Sequence, residues 1–204
     1  MYPVDRSGTR LALRELSTED VNAVPAVYGS PEATEHLSFE PRGREEVGRI
    51  VACSIAAAAE TPRGEYALAV VERESAELVG FGRPALDPHQ QGGATLGFAL
   101  RPRSWGAGYG VEMVRLLLGF GFDDLRPHRI WGARSPRNEA SARTMAAVGM
   151  VEEGVIREHV LKGGVWRDSV VYAILDREGH AATQGRLPET DVRTLAQRCA
   201  GARR

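Results

Sequence analysis

The residues with the most chemistry in their spacing are Arg103-x-x-Gly106-x-Gly108-Tyr109-Gly110. A strongly helical period follows at Val111, Val114, Leu117, Leu118 and Phe122. The first amides of a helix have no intrahelical partner, and the helix dipole adds partial positive charge there. Glycines let backbone N–H groups approach a phosphate with no Cβ in the way. Arg103 can add a charge-assisted contact. A diphosphate is the natural guest of such a loop, and the competing reading is an ordinary strand-to-helix turn with glycines for close packing. A dinucleotide site needs the loop after the first strand of a βαβ unit, with an acid ~20 residues on. Here the loop follows the fourth predicted strand, and Asp123 and Asp124 close the same helix. No Gly-Lys-Ser/Thr follows, so a Walker loop is excluded.

The elements that must position this loop are readable from periodicity. Alternation over 9–16 predicts a half-buried strand. Ser17-Thr18-Glu19-Asp20 starts a helix expected over 18–28, with Pro25 kinking it or ending it early. Residues 29–43 read as a loop with one helical turn, and 43–60 as a second helix. Strands are expected at 65–72 and 77–86, paired as a hairpin, and at 94–100, just before the loop. A helix over 111–124, a strand over 128–133 and a helix over 138–148 closed by Gly149 come next. Strands at 151–161 and 168–175 complete the order. It predicts an α/β fold with a mixed central sheet of about seven strands and helices on both faces. Residues 1–8 are expected to be a flexible N-terminus, 9–178 one domain, and 179–204 a polar tail or a short helix near 190–199.

Bulk properties narrow the function. A length of 204 residues suits one domain, and 43% apolar with 26% charged residues is ordinary for a globular chain. A net charge of -1 supplies no field for nucleic acid or an anionic membrane. Cys53 and Cys199 form no C-x-x-C and have no histidine in metal spacing, which argues against a disulfide framework or a zinc site. No signal peptide and no apolar run near the ~20 residues of a membrane span are visible. The expectation is a cytoplasmic protein, monomer or homodimer, without metal, nucleic acid or membrane.

The Arg-x-x-Gly-x-Gly loop between a central strand and a long helix resembles the acetyl-CoA signature of the GNAT superfamily of N-acetyltransferases. The wider series runs Trp105 to Glu112, His128 to Trp131, Asn138 to Arg143, Gly149 to Gly154, then Asp168-Ser169 and Tyr172. It is similar to the Rim-type branch, whose members acetylate ribosomal-protein N-termini and other amines. The resemblance covers roughly residues 9–178 and implies a GNAT-type acyl-CoA N-acyltransferase fold. In that fold the strands at 94–100 and 128–133 splay, and the pantetheine arm lies between them against the backbone of Phe98 to Leu100. The amides of Gly106, Ala107, Gly108, Tyr109 and Gly110 are implied to hold the pyrophosphate, supported by Arg101 or Arg103. Asn138 is implied to bond the pantetheine arm. Ser141, one helical turn on, would sit by the sulfur and protonate the leaving thiolate. The competing reading of Ser141 is a helix serine bonded to its own backbone.

The general base is the open point. Where many relatives carry an acid on the strand at 128–133 this chain has Ala133, and where many carry a tyrosine on the next helix it has Met145. Glu158 and His159 are the candidates, with Glu158 ahead, and strand parity sends them to opposite faces. An α-amino acceptor, with a pKa near ~7.7–8.0, would need no base. Glu112 reads as helix-dipole support, Trp105 as loop packing, and Trp131 and Phe122 as core. Tyr28, His36 and Phe39 are candidates for the acceptor wall and Trp166 for its cover. The implied activity is direct transfer of an acetyl group from acetyl-CoA to a primary amine: a protein N-terminus, an amino acid or an antibiotic. No nucleophile–base pair supports a covalent enzyme intermediate. Two alternatives remain: another acyl-CoA such as succinyl-CoA, which needs an arginine facing the acyl end, and a non-catalytic acyl-CoA-binding regulatory module.

Overall fold

The computed structural model describes residues 2–183. The chain runs β1 (Asp5–Ser7), β2 (Leu11–Glu15), a 3-10 turn (Thr18–Asn22), α1 (Pro25–Tyr28), α2 (Pro31–Thr34) and α3 (Arg44–Ala58). It continues with β3 (Leu68–Glu72), β4 (Leu78–Leu86), β5 (Gly93–Leu100), α4 (Tyr109–Phe120) and a π turn (Gly121–Leu125). The last elements are β6 (Arg129–Arg134), α5 (Glu139–Ala147), β7 (Val151–Lys162), β8 (Val165–Leu175) and α6 (Asp176–Thr183). They form one sheet in the order β1-β2-β3-β4-β5-β6-β8-β7. Every pairing is antiparallel except that of β5 with β6.

The sheet is covered on both faces because its central strands are apolar at both parities. Leu68 and Val70 of β3 pack with Met113, Val114 and Leu117 of α4. Ala69 and Val71 of the same strand pack with Val27 of α1 and with Val47 and Val51 of α3. A strand buried on both faces in this way needs a layer of helix on each side.

Three expectations are corrected. Residues 5–7, expected within a flexible N-terminus, are an edge strand, which brings the sheet to eight strands. Val4, only 3% exposed, anchors it, and the Val4 amide donates to Glu15 Oε1 at 3.1 Å. The single helix expected over 18–28 is two pieces. Pro25 stands at the first position of α1, where its missing N–H has no intrahelical role. The long helix ends at Phe120, and the chain to Leu125 widens into the π turn. The helix expected near 190–199 lies outside the described residues. Among the described residues no helix is long and apolar enough to cross a membrane. No group of three or more His, Cys, Asp or Glu in them could hold a metal ion.

Candidate active site

The site begins where two neighbouring strands part. β5 and β6 pair only at Gly93–Arg129, Ala94–Ile130 and Thr95–Trp131. Beyond that point β5 stays on β4 to Leu100, while β6 stays on β8 to Arg134. Gly132 stands at the vertex, where an added Cβ would lie 2.8 Å from the Leu96 carbonyl oxygen. The Leu96 carbonyl therefore points toward β6, whereas the Arg101 amide donates to Val79 O of the other neighbour at 2.9 Å. Period-two alternation then turns the backbone of Phe98 and Leu100 into the gap. The Leu100 carbonyl is taken by Trp105 Nε1 at 3.1 Å. The Phe98 amide and carbonyl and the Leu100 amide face the cleft.

The helix N-terminus lies beside this open edge. Gly106 and Gly108 take left-handed φ values of 77° and 78°, and Gly108 leads into the first turn of α4. A Cβ at Gly106 would meet nothing within 4 Å, so that position borders open space. Behind the loop, Glu112 accepts from the Arg10 amide at 2.6 Å, the Leu11 amide at 3.0 Å and Arg10 Nε at 2.9 Å. Burial works to raise its pKa, but the bonds from Arg10 and Leu11 outweigh it and hold the carboxyl below its ordinary range. Glu112 thus fastens α4 to β2 as an ion.

A cavity of about 820 Å³ runs from this N-terminus along β5 to α5, a size ordinary for a bound small molecule. Gly106, Gly108 and Gly110 line it, as do Phe98 and Leu100. Arg101 and Arg103 do not. Both guanidiniums bond Glu77 Oε2 at 2.8 Å, and Arg101 also bonds Ser104 Oγ at 2.9 Å. Those bonds, with Arg101 first, hold the Glu77 carboxyl below its usual range. Ala107 is also outside the lining, its carbonyl accepting from Arg10 Nη1 at 2.8 Å. The Tyr109 side chain is turned away, with its hydroxyl on Glu72 and its ring 4.6 Å from the Arg10 guanidinium carbon, so Tyr109 can offer the cavity only its amide. Arg137 and Arg143 line it instead. The readable signal for them was the basic spacing Arg134, Arg137 and Arg143 around Asn138.

A second cavity, of about 440 Å³, adjoins the first. The two share His36, Leu37, Phe98, Ala99, Asn138 and Ser141, so one cleft passes through that junction. Asn138 Oδ1 accepts from the Ser141 amide at 3.0 Å and caps α5, which leaves the Asn138 side-chain NH2 for the cleft. The half-buried Ser141 hydroxyl makes no hydrogen bond among the described residues. Thr144, one turn on, does bond the backbone, at 2.9 Å to Ala140 O.

Tyr28, His36 and Phe39 line the second cavity, as expected for its walls, and so does Trp131, expected in the core. Trp166 does not line it and is 56% exposed. Ala133 and Met145 face it without an acid or a phenol. Glu158 does not reach it. Between the pairs Ile156–Ser169 and Val160–Arg167, β7 advances four residues while β8 advances two. This bulge breaks strand parity. Glu158 sits on it at φ 50°, exposed, with its amide donating to Asp168 Oδ1 at 2.8 Å. His159 and Asp168 are the titratable groups that β7 and β8 present to the cavity. Four arginines that the sequence reading did not single out also line it: Arg42, Arg83, Arg134 and Arg167.

A family model described as an acetyltransferase (GNAT) domain matches residues 10–151. The chain belongs to the GNAT acetyltransferase family. It is 29% identical over 177 residues to the uncharacterized N-acetyltransferase YoaA of Bacillus subtilis (strain 168), covering 86% of this chain and 98% of YoaA. The fold of this GNAT enzyme is similar to that of the GNAT-family acetyltransferase from Bacillus anthracis (TM-score 0.73, 23% identity), covering 86% of this chain and all of that one. It is also similar to that of Mycobacterium smegmatis RimJ, solved in complex with CoA-disulfide (TM-score 0.75, 20% identity), covering 91% of this chain and 96% of that one. A Rim-type acetyltransferase thus stands among the structural neighbours of this GNAT chain, as its motif series implied.

Proposed function

We propose that the larger cavity takes acetyl-CoA, that the smaller takes a primary amine, and that the acetyl group passes directly between them at the Ser141 junction. The observation that carries this reading is the open edge of β5 between the α4 N-terminus and Ser141. When bound, acetyl-CoA supplies the acetyl group as an activated thioester. The Phe98 and Leu100 backbone groups suit an extended amide chain, which they can pair as an added strand. The amides of Tyr109 and Gly110 suit a diphosphate, and the open space at Gly106 lets it come close. Arg137 adds positive charge to the lining where Arg101 and Arg103 are held by Glu77, while Arg143 is paired with Glu139 at 3.4 Å.

The chain's own groups divide the chemistry. A β5 amide at the junction donates to the oxygen that gains charge. Ser141 Oγ holds a proton for the sulfur as the carbon–sulfur bond breaks. The proton lost by the amine is accepted from the other side, at His159 or Asp168, directly or through one water. The bond from the Glu158 amide holds Asp168 Oδ1 and leaves its second oxygen for that task.

Thermal unfolding with acetyl-CoA, and with NAD and ATP as controls, tests the reading. At ~100 times Kd the ligand should add about 2.7 kcal/mol, or about 5–10 °C at the midpoint. No shift, or a shift with NAD or ATP alone, would overturn it. Ser141→Ala should lower kcat by about 100-fold and leave acetyl-CoA affinity nearly unchanged, as loss of a proton donor does. Steady-state kinetics with free-thiol detection reads both, and an unchanged kcat would remove Ser141 from the proton path.

A further inference from the structure

Resting on the acetyl-transfer reading, we propose that the acceptor is a small primary amine carrying a carboxylate, gripped by Arg42 and Arg83 beside the Tyr28 hydroxyl. The lining of the acceptor cavity is unbalanced. Among the described residues, four arginines line it, against Asp168 as the one carboxylate. Two of the four are committed to backbone carbonyls. Arg134 Nη1 donates to Ser135 O at 3.0 Å and Pro136 O at 2.9 Å. Arg167 donates to Glu35 O at 3.2 Å and Leu37 O at 2.7 Å.

Arg42 and Arg83 are placed differently. The Arg42 amide bonds Tyr28 O at 2.8 Å, which fixes the root of its side chain. The guanidinium carbon lies 4.3 Å from the Phe39 ring centroid, and Nε lies 3.5 Å from Glu46 Oε1. Its two terminal amino groups make no hydrogen bond among the described residues. Arg83 gives one terminal nitrogen to Glu65 and lines the cavity with Tyr28. Tyr28 is 7% exposed, held between Phe39 and Phe81. The Arg42 guanidinium carbon lies 5.9 Å from the Tyr28 ring centroid, and Tyr28, Arg42 and Arg83 line the same cavity. Two forked cations and a hydroxyl on one lining match the chemistry of a carboxylate.

The opposite wall carries Asp168 and His159, with Arg134 and Arg167 beside them bonded to backbone carbonyls. β4, with Arg83, and β8, with Asp168, stand on either side of the β5–β6 gap. A zwitterion lying across the cavity meets cations at its carboxylate and Asp168 with His159 at its amine. The scale is that of a small molecule. The cavity is about 440 Å³, and Arg167, on its lining, donates to the carbonyls of Glu35 and Leu37. A carboxylate on the acyl group would reach the same arginines, so the test has a donor arm.

CoA release would be measured with amino acids, their carboxamides, N-terminal peptides and an aminoglycoside, and with acetyl-CoA or succinyl-CoA as donor. The wild type should prefer the carboxylate over its carboxamide by about 10-fold or more in kcat/KM, the worth of one charge-assisted bond. R42Q and R83Q should each raise the acceptor KM by about 10–100-fold, leave the acetyl-CoA KM within about twofold and erase that preference. R42K and R83K should restore part of it. Equal use of acid and carboxamide, or a preference that survives both glutamine variants, would overturn the inference. So would turnover confined to neutral amines or peptides, or succinyl-CoA outrunning acetyl-CoA with a neutral amine. These results leave acetyl transfer standing, whereas no release with any amine and no acetyl-CoA binding would remove that reading as well.

Discussion

Gly106→Asp is expected to weaken acetyl-CoA binding by about 100-fold, while Gly106→Asn weakens it only severalfold. Both variants meet the same backbone, a left-handed φ of 77°. Asp and Asn tolerate that region about equally and better than other side chains. Neither collides with the fold, because a Cβ there has nothing within 4 Å. They differ in one negative charge. At about 6 Å from a diphosphate charge and an effective dielectric constant of about 20, that charge costs about 2.8 kcal/mol, roughly 100-fold in Kd. Titration calorimetry on the two variants isolates this difference, and raising the salt concentration should narrow it. Equal weakening by both would mean that the loop serves the site by shape and that no phosphate lies against it.

Asp20→Ala is expected to cost about 3 kcal/mol and lower the unfolding midpoint by about 6–12 °C. Asp20 is 4% exposed and accepts both arms of Arg14, at 2.7 and 2.8 Å, as well as the Ser17 amide at 2.8 Å. The alanine leaves Arg14 and that amide facing a hole where the carboxylate was. Burial by itself raises the Asp20 pKa, but the bonds from Arg14 and Ser17 prevail and hold it below the ordinary carboxylate value. A group whose folded pKa is depressed contributes stability above its unfolded pKa, near ~3.9, and loses it as the pH falls through the folded value. The gap between wild type and Asp20→Ala should therefore hold from about pH 5 to 8 and shrink below about pH 4. Melts at pH 7, 5 and 3 read it directly. A gap that persists at pH 3 would assign the loss to packing.

The comparison between sequence and structure divides along the range of the forces involved. The glycine loop, the helix behind it and the strand before it were legible because each depends on neighbours a few residues away. Amide exposure at a helix start, left-handed glycines and apolar period are local properties. β1 was not legible, since three residues become a strand only when β2 offers its edge. Arg101 and Arg103 have the right spacing for a phosphate, yet Glu77, 24 and 26 residues away in the chain, captures both. Parity along β7 put Glu158 and His159 on opposite faces but could not say which one the cleft would see. The bulge opposite β8 decided that, placing His159 on the cavity lining and Glu158 off it. The sequence by itself determined the family, the sheet with its helical layers and the glycine-rich turn before the long helix. The tertiary structure decided which charges line the cleft, because Arg42, Arg83, His159 and Asp168 come from distant segments and only packing brings them together.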